Sequence, residues 1–424
     1  METVLVLLFI GLALIGVPVA YALCLSVSFV LVYYMDLPQV LILNTMFSGI
    51  DSFSFMAVPF FMLAGAFMSA GGVTKRLVGV AQAMVGSFTG GLAQAVAVAG
   101  MFFAAISGSS AATTAAIGST MVGEMERKGY RRELATGIVA ASGTVGIVIP
   151  PSITFVVYGV IANVSIGDLF MGGVLPGLLM GLAMCGMGWY IAKKEGIPPE
   201  GNFSIVKLFL TLKEAFWALM TPVIIIGGIY GGIFTPTEAA AVAAVYGIVV
   251  GLFIYRELKL ADFPEIVFKA VIGSTLIMFL VGAAKAFGWL MTNLQIPHHV
   301  GAAVVSLTTS PVMFMMIMNV LLLVLGTLVN ASAAVVILTP IFLPVAESLG
   351  IDPLYFGVIM VVNLAIGCIT PPVGLDLFVA SAITKVPLEK VMKATLPYLF
   401  ALIGVLLFIT LVPSISTFLP NALH

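Results

Sequence analysis

The hydrophobic pattern runs in long blocks. Uncharged apolar stretches of near twenty residues recur from one end of the chain to the other, separated by short clusters of Lys, Arg, Asp and Glu. A bilayer core about 30 Å thick is crossed by about 20 helical residues, so these blocks read as spanning helices. Helices are expected at 3–15 and 18–35, divided by Gly16, Val17 and Pro18. Proline is tolerated in a first helical turn, so Pro18 opens the second of them. Residues 36–53 read as a short interfacial piece, and Asp51 and Ser52 offer a cap to a span at about 55–72. An amphipathic connector at 77–90 follows.

Residues 91–125 do not read as a plain helix. Glycines recur through them, and Ser107, Gly108, Ser109 and Ser110 stand mid-way, followed by Thr113 and Thr114. The expectation is a re-entrant hairpin with its tip at 107–110, whose arms pack through small residues. A span at 134–163 is broken at Pro150 and Pro151, because adjacent prolines remove two backbone donors. A further span covers 168–192. Residues 195–215 are the most polar stretch and read as a linker plus a surface helix. The plan then repeats. Spans at 216–234 and 236–255 meet at Thr235 and Pro236, and a span at 265–291 and a connector at 296–309 follow. A hairpin at 311–346 has its tip at 330–332, a span at 354–384 is broken at Pro371 and Pro372, and a last span covers 394–419.

The repetition is a duplication. Gly146 and Gly367, Pro150 and Pro371, and Pro151 and Pro372 are each 221 residues apart. The same offset relates Glu126 and Gly129 to Glu347 and Gly350, and Met171 and Pro176 to Met392 and Pro397. Several matches at one offset point to an internal repeat of about half the chain. The expected fold is an all-α integral membrane protein of two inverted-topology repeats, 1–194 and 216–424, each with about five spanning helices, one re-entrant hairpin and one broken helix. An odd number of spans turns the second copy upside down. The basic residues agree. Lys75, Arg76, the run from Arg127 to Arg132, Lys193, Lys194, Lys207, Lys213, Arg256, Lys259, Lys385, Lys390 and Lys393 fall on one side, and the opposite loops (36–53, 164–167, 292–299, 347–353) carry no Lys or Arg. Positive charge marks the cytoplasm, so both termini face outward. The first hairpin then enters from the cytoplasm and the second from outside.

Composition removes other classes. Charged residues are 8% of the chain and hydrophobic ones 61%, against about 25% charged in a soluble domain. A net charge of -1 predicts no nucleic-acid partner. Cys24, Cys185 and Cys368 sit singly in apolar runs and read as buried small residues. The N-terminus lacks a basic region and a cleavage site, and reads as a retained helix. His298, His299 and His424 are peripheral, so no metal beyond sodium and no acid–base catalysis is expected, and the protein does not read as an enzyme. A channel would need an open polar lumen, whereas here the polar points are few and central.

Backbone that has lost its helical hydrogen bonds is costly in hydrocarbon unless it is buried or lines a wet cavity. Inverted repeats bring two hairpin tips and two proline breaks together near mid-membrane. Half-helix N-termini then present N–H groups to an anion, while unwound carbonyls hold a cation. Neutral oxygen ligands suit sodium. One sodium is expected among Ser107, Ser109, Ser110 and the carbonyls from Gly146 to Ile149, and a second among Asn330, Ser332 and the stretch from Gly367 to Thr370. Substrate is expected between them, near Ser109, Pro151, Ser152, Asn330, Pro372 and Gly374. Any one of these serines by itself reads as a packing residue; the duplicated tetrad beside a duplicated break reads as a site. Charges within spans are functional candidates. Glu238 reads as a helix cap. Lys285 either pairs with Glu238, faces a partner or reaches to the interface. Asp376 is either a sodium or proton ligand or a solvated carboxylate.

These residues resemble the ion transporter superfamily of inverted-repeat carriers, and within it the large membrane subunit of tripartite ATP-independent periplasmic (TRAP) transporters. The stretch from Gly232 to Ala244, Gly-Ile-Phe-Thr-Pro-Thr-Glu-Ala-Ala-Ala-Val-Ala-Ala, is similar to that family's signature. Asp51 and Ser52 followed by Val-Pro-Phe-Phe-Met-Leu-Ala-Gly at 58–65, the Ser-Gly-Ser-Ser tip and both Pro-Pro breaks also fit. The resemblance implies a multi-pass protein of the bacterial inner membrane that imports an organic acid, such as a C4-dicarboxylate or sialic acid, on a sodium gradient. It also implies a small four-span membrane subunit, a periplasmic substrate-binding protein and an elevator motion. On this chain the moving part would be 91–192 and 311–419, and the scaffold 1–76 and 216–291. The near alternative is a self-sufficient sodium–carboxylate carrier of the same superfamily.

Overall fold

Helices fill the apolar blocks and stop where glycine or proline allows the chain to turn. The computed structural model describes residues 1–199, 203–296, 299 and 308–423. The connector expected at 296–309 therefore lies almost wholly outside the described residues, as do His298 and His424. The first half comprises α1 (Glu2–Leu14), α2 (Val19–Tyr34), α3 (Val40–Ile50), α4 (Ala57–Ala70), α5 (Val73–Val85), α6 (Gly91–Ser107), α7 (Ser110–Arg127), α8 (Arg132–Gly143), α9 (Ile153–Ala162) and α10 (Ile166–Lys194). The second comprises α11 (Ile205–Tyr230), α12 (Pro236–Val249), α13 (Phe263–Asn293), α14 (Pro311–Leu328), α15 (Ala331–Ser348), α16 (Pro353–Gly367), α17 (Leu375–Thr384), α18 (Leu388–Leu411) and α19 (Ser414–Leu423).

Three boundaries differ from expectation. The surface helix and the span expected at 216–234 are one continuous helix, α11, of 26 residues. Lys207, Lys213 and Glu214 lie on its first three turns, so these charges do not end the helix. The last span stops at Leu411, because Pro413 supplies no N–H to continue it, and a separate helix follows. Ser52 precedes the short 3-10 turn Phe53–Met56, but its side chain makes no capping bond.

The duplication is visible in the elements. α7 and α15 each have 18 residues and begin at 110 and 331, which is 221 apart. α9 and α17 have 10 each. Such a helix is only about 15 Å long, so neither half of a broken element crosses a bilayer alone. Among the described residues, eight helices are long and apolar enough to span, and two of these, α14 and α15, are the arms of the second hairpin. Length alone would count those arms as spans; their docking on the second break, described below, is that of a hairpin.

The two ends of the molecule differ in chemistry, and this gives the elements a direction. At one end Arg76 pairs with Glu257 at 2.7 Å, Arg131 with Glu195 at 2.7 Å and Lys390 with Glu133 at 3.0 Å. Arg132 Nε also donates to the Thr384 carbonyl at 3.0 Å, and Gln82 Nε2 to Glu124 at 2.8 Å. Exposed pairs of this kind contribute about 0–1 kcal/mol each, so they report geometry more than stability. At the other end Tyr158 Oη donates to the Pro353 carbonyl at 2.6 Å, Tyr230 Oη to the Gly167 carbonyl and Thr237 Oγ1 to the Phe53 carbonyl at 3.0 Å. His299 Nδ1 meets Glu2 there at 2.8 Å. The broken element α8–α9 thus runs from the basic end to the other, while α16–α17 runs the opposite way. The second repeat is inverted relative to the first, and the basic clusters share one face.

This arrangement predicts one-sided labelling. Cysteines at Lys128 and Lys193, both exposed at the basic end, should react with an impermeant maleimide only from the cytoplasmic side. One at Ser348, exposed at the other end, should react only from outside. Labelling of all three from the same side would contradict the inversion.

Candidate functional site

The first hairpin turns on Gly108. α6 ends there with φ +61°, and Ser109 is extended and caps α7 through its hydroxyl, which accepts from Ala112 N at 3.4 Å. The tip sits directly on the break of its own repeat. Ile153 N donates to the Gly108 carbonyl at 3.4 Å. A methyl group on Gly146 would lie 2.6 Å from the Ser109 carbonyl oxygen and 2.6 Å from Thr113 Oγ1. The break itself follows from the two prolines: without their N–H groups, the carbonyls of Gly146 and Ile147 have no helical partner four residues on. The Ile147 carbonyl is recovered by Ser152 Oγ, which donates to it at 2.5 Å. Gly146 faces the tip.

The second hairpin repeats the scheme with different chemistry. α14 ends in extended backbone at Val329, and Asn330 caps α15, its Oδ1 accepting from Ser332 N at 3.0 Å. Gly374 N donates to the Thr327 carbonyl at 3.1 Å. Gly326 and Gly367 face each other so closely that a methyl on Gly367 would lie 2.6 Å from the Gly326 Cα. At this break the Gly367 carbonyl accepts from Thr370 N and the Cys368 carbonyl from Asp376 N, both at 3.0 Å. Pro150–Pro151 and Pro371–Pro372 are both cis peptides.

Both tips open on one cavity of about 380 Å³. Ser109, Ser110, Asn330 and Ser332 line it from the hairpins, and Thr154 and Cys368 from the broken elements. Its far wall is apolar: Gly273, Leu276, Ile277 and Leu280 of α13 with Met62 of α4. Among the described residues, no Lys or Arg lines it. A hard cation finds hydroxyl, amide and carbonyl oxygens here. An anion finds helix N-termini and hydroxyls.

The expected site residues do not all share one role. Ser109, Ser110, Asn330 and Ser332 are together at the cavity. Ser107 is buried beside it, with its hydroxyl 3.0 Å from Thr113 Oγ1. Ser152 is fully buried and committed, donating to Ile147 and accepting from Phe155 N at 3.3 Å, so its hydroxyl serves the break. The Thr370 hydroxyl donates to the Ile366 carbonyl at 2.9 Å. The Ile149 side chain packs on Gly177 of α10. Pro151 is buried, with its carbonyl against Gly108, and Pro372 is exposed. Gly374 is buried at φ +59°. Thr113, Gly326 and the α13 wall went unread as site residues: Thr113 Oγ1 also donates to the Ser109 carbonyl at 2.9 Å, and only the local spacing of Thr113 from the serines hinted at it.

Glu238 closes a capping box with Thr235, accepting from its N at 2.8 Å, as a Thr three residues before a Glu suggests. Among the described residues no ion pair joins it to Lys285, which lines a separate cavity of about 580 Å³ between α13 and α15. Of the two readings left open for Asp376, burial removes one: it is 0% exposed and not a solvated carboxylate, because α7 and the end of α8 close over it.

Comparison with known proteins follows the same lines. The family model described as "Tripartite ATP-independent periplasmic transporter, DctM component" matches residues 6–415. The chain is 48% identical over 405 residues to the isethionate TRAP transporter permease protein DctMQ of Oleidesulfovibrio alaskensis, covering 95% of this chain and 64% of that one. It therefore spans less than two thirds of that relative. It is 46% identical over 376 residues to the C4-dicarboxylate TRAP transporter large permease protein DctM of Pseudomonas aeruginosa, covering 89% and 88%. It is 37% identical over 416 residues to the sialic acid TRAP transporter large permease protein SiaM of Vibrio cholerae, covering 97% and 96%. Among solved structures, the YdaH transporter of Alcanivorax borkumensis shares the fold, with a TM-score of 0.55 at 15% identity over 87% of each chain.

Proposed function

Because this chain belongs to the DctM component family of tripartite ATP-independent periplasmic transporters, as a large permease subunit, we propose that it imports an organic acid anion by sodium symport across the bacterial inner membrane. The observation that carries this reading is the shared cavity: two inverted hairpin tips, each docked on its own proline break, present neutral oxygens to one space. Sodium would sit at each tip. The first site draws on Ser107, Ser109, Ser110 and the carbonyls near Gly146. The second draws on Asn330, Ser332, Gly367 and Thr370. The substrate carboxylate lies between them, where bound sodium offsets its charge and half-helix N-termini supply N–H groups. Relatives named for isethionate, C4-dicarboxylates and sialic acid support a small organic anion as substrate.

Alternating access in this reading is an elevator. The hairpins and broken elements, about 91–192 and 311–419, move against a scaffold of about 1–76 and 216–291. The smooth apolar wall offered by Gly273, Leu276, Ile277 and Leu280 suits sliding, since these side chains carry no hydrogen-bonding group. A small membrane subunit and a periplasmic binding protein complete the system, as the word tripartite in the family's description suggests.

The test is the sodium dependence of uptake in proteoliposomes that hold the complete system. Losing one ligand to a charged group costs about 1.5–3 kcal/mol. Ser109→Ala and Asn330→Ala should each raise the sodium concentration for half-maximal uptake by roughly tenfold or more. Ser26→Ala should not, because that buried hydroxyl only donates to the Ala22 carbonyl at 2.7 Å within the scaffold. Wild-type sodium curves for both tip variants would make the tips packing devices and end this reading.

A further inference from the structure

From the groups packed around Asp376 we infer a further cation site behind the first hairpin tip, built by Asp376, Thr114 and the carbonyl of Ser110, the tip residue it shares with the first sodium site. Asp376 lies in the first turn of α17, and Thr114 lies one turn into α7; both are 0% exposed. The Ser110 hydroxyl faces the Asp376 carboxylate, but neither carboxylate oxygen receives a full hydrogen bond, and Thr114 Oγ1 has no partner. The oxygens converge on the bare face of Gly143 at the end of α8. A methyl group placed there would lie 1.9 Å from Thr114 Oγ1, 3.0 Å from the Ser110 carbonyl oxygen and 3.1 Å from Asp376 Oδ2. Glycine at 143 keeps this point free of carbon.

Local alternatives do not account for these groups. A helix N-terminus ordinarily supplies donors to a carboxylate. Here Asp376 N is spent on the Cys368 carbonyl, and Leu377 N and Phe378 N on the Gly374 carbonyl. A helical threonine ordinarily donates to the carbonyl four residues back. Thr113 does so, donating to Ser109, but Thr114 leaves the Ser110 carbonyl alone. Among the described residues no ion pair includes Asp376. An ionised carboxylate buried with only the Ser110 hydroxyl facing it is heavily penalised, so a positive species must complete it. A proton would satisfy one of the converging oxygens, whereas a bare cation satisfies them all. Carboxylate, hydroxyl and carbonyl together form a hard donor set, suited to sodium.

The duplication sharpens the case. The positions 221 residues away from Thr114, Gly143 and Asp376 are Val335, Leu364 and Phe155. All three are 0% exposed and apolar. One copy of this junction is therefore an ordinary hydrophobic contact. The other exchanges the same packing for unpartnered oxygens, which packing alone does not require. Being single, the site is not a third member of the repeated tip scheme, and it joins the two repeats, since α7 and α8 belong to the first and α17 to the second.

The choice of sodium as the ion rests on the symport reading; the existence of a cation site does not. Equilibrium binding of radiolabelled sodium to the purified permease complex tests it without transport. Asp376→Asn and Thr114→Val, both close in shape to the native residues, should each weaken one component of the sodium titration by about tenfold or more, and in uptake assays Asp376→Asn should lower the number of sodium ions moved per substrate by one. Ser109→Ala should affect a different component, so that loss of the tip effect alone would sink the tip reading and leave this one standing. Sodium titrations of both variants that superimpose on the wild type would overturn the proposal. So would an Asp376→Asn variant that keeps its sodium binding but loses a pH dependence of uptake, because the group would then carry a proton.

Discussion

Gly108→Ala should abolish most sodium-driven uptake while leaving the protein folded and inserted. Gly108 sits at φ +61°, where an alanine costs about 1–2 kcal/mol. Its new methyl would also lie 2.8 Å from the Pro151 carbonyl oxygen and 3.3 Å from Ile153 N. Both are backbone atoms, so no side chain can swing aside, and overpacking of this kind costs about 1–3 kcal/mol more. The relief available to the structure is to lift the tip from the break. Lifting the tip separates Ser109 and Ser110 from Gly146 and breaks the bond from Ile153 N to the Gly108 carbonyl. The combined penalty of about 2–5 kcal/mol corresponds to uptake lower by roughly thirtyfold or more. Gly79→Ala is the control. That glycine has no atom within 4 Å of its would-be methyl, so wild-type uptake is expected. Uptake by Gly108→Ala within a factor of about two of wild type, at matched protein levels in the membrane, would show that the docked tip is not needed.

Reconstituted alone, the chain should give no uptake above empty vesicles; adding a small membrane subunit and a cognate binding protein should restore it. Two features argue for this. First, the cavity has no cationic side chain among its described lining residues, so a free anion at low concentration is captured poorly. A binding protein docked outside raises the local concentration far above that in bulk. Second, the proposed scaffold exposes large apolar groups on several helices, among them Tyr21 and Phe29 of α2, Phe47 of α3 and Phe268 of α13. Lipid covers part of such a surface, and a second membrane subunit on it would hold the scaffold still while the transport part moves. The measurement is initial uptake of labelled candidate acids with each component left out in turn. Robust uptake by the chain alone would assign it to the self-sufficient carriers instead.

Much of the architecture was legible in the sequence. Apolar blocks located the spans, because hydrocarbon admits little else. Two Pro-Pro pairs located the breaks, because a residue with no N–H cannot continue a helix wherever it is placed. The repeat distance of 221 joined hairpin to hairpin and break to break, and the sorting of Lys and Arg gave each element its direction. Such signals are local or periodic, so they survive without knowledge of neighbours. The fate of each polar side chain was different. Ser109 and Ser152 look alike in sequence, each a serine at the start of a half-helix. One opens on the cavity, and the other is buried because the Ile147 carbonyl, freed by Pro151, takes its hydroxyl. Asp376 read equally well as solvated or as a ligand. What buries it is Thr114 and Gly143, more than 230 residues earlier in the chain. Periodicity specifies which face of a helix is apolar, but not which distant helix covers it. Whether a buried oxygen finds a donor is settled only when the two repeats pack together.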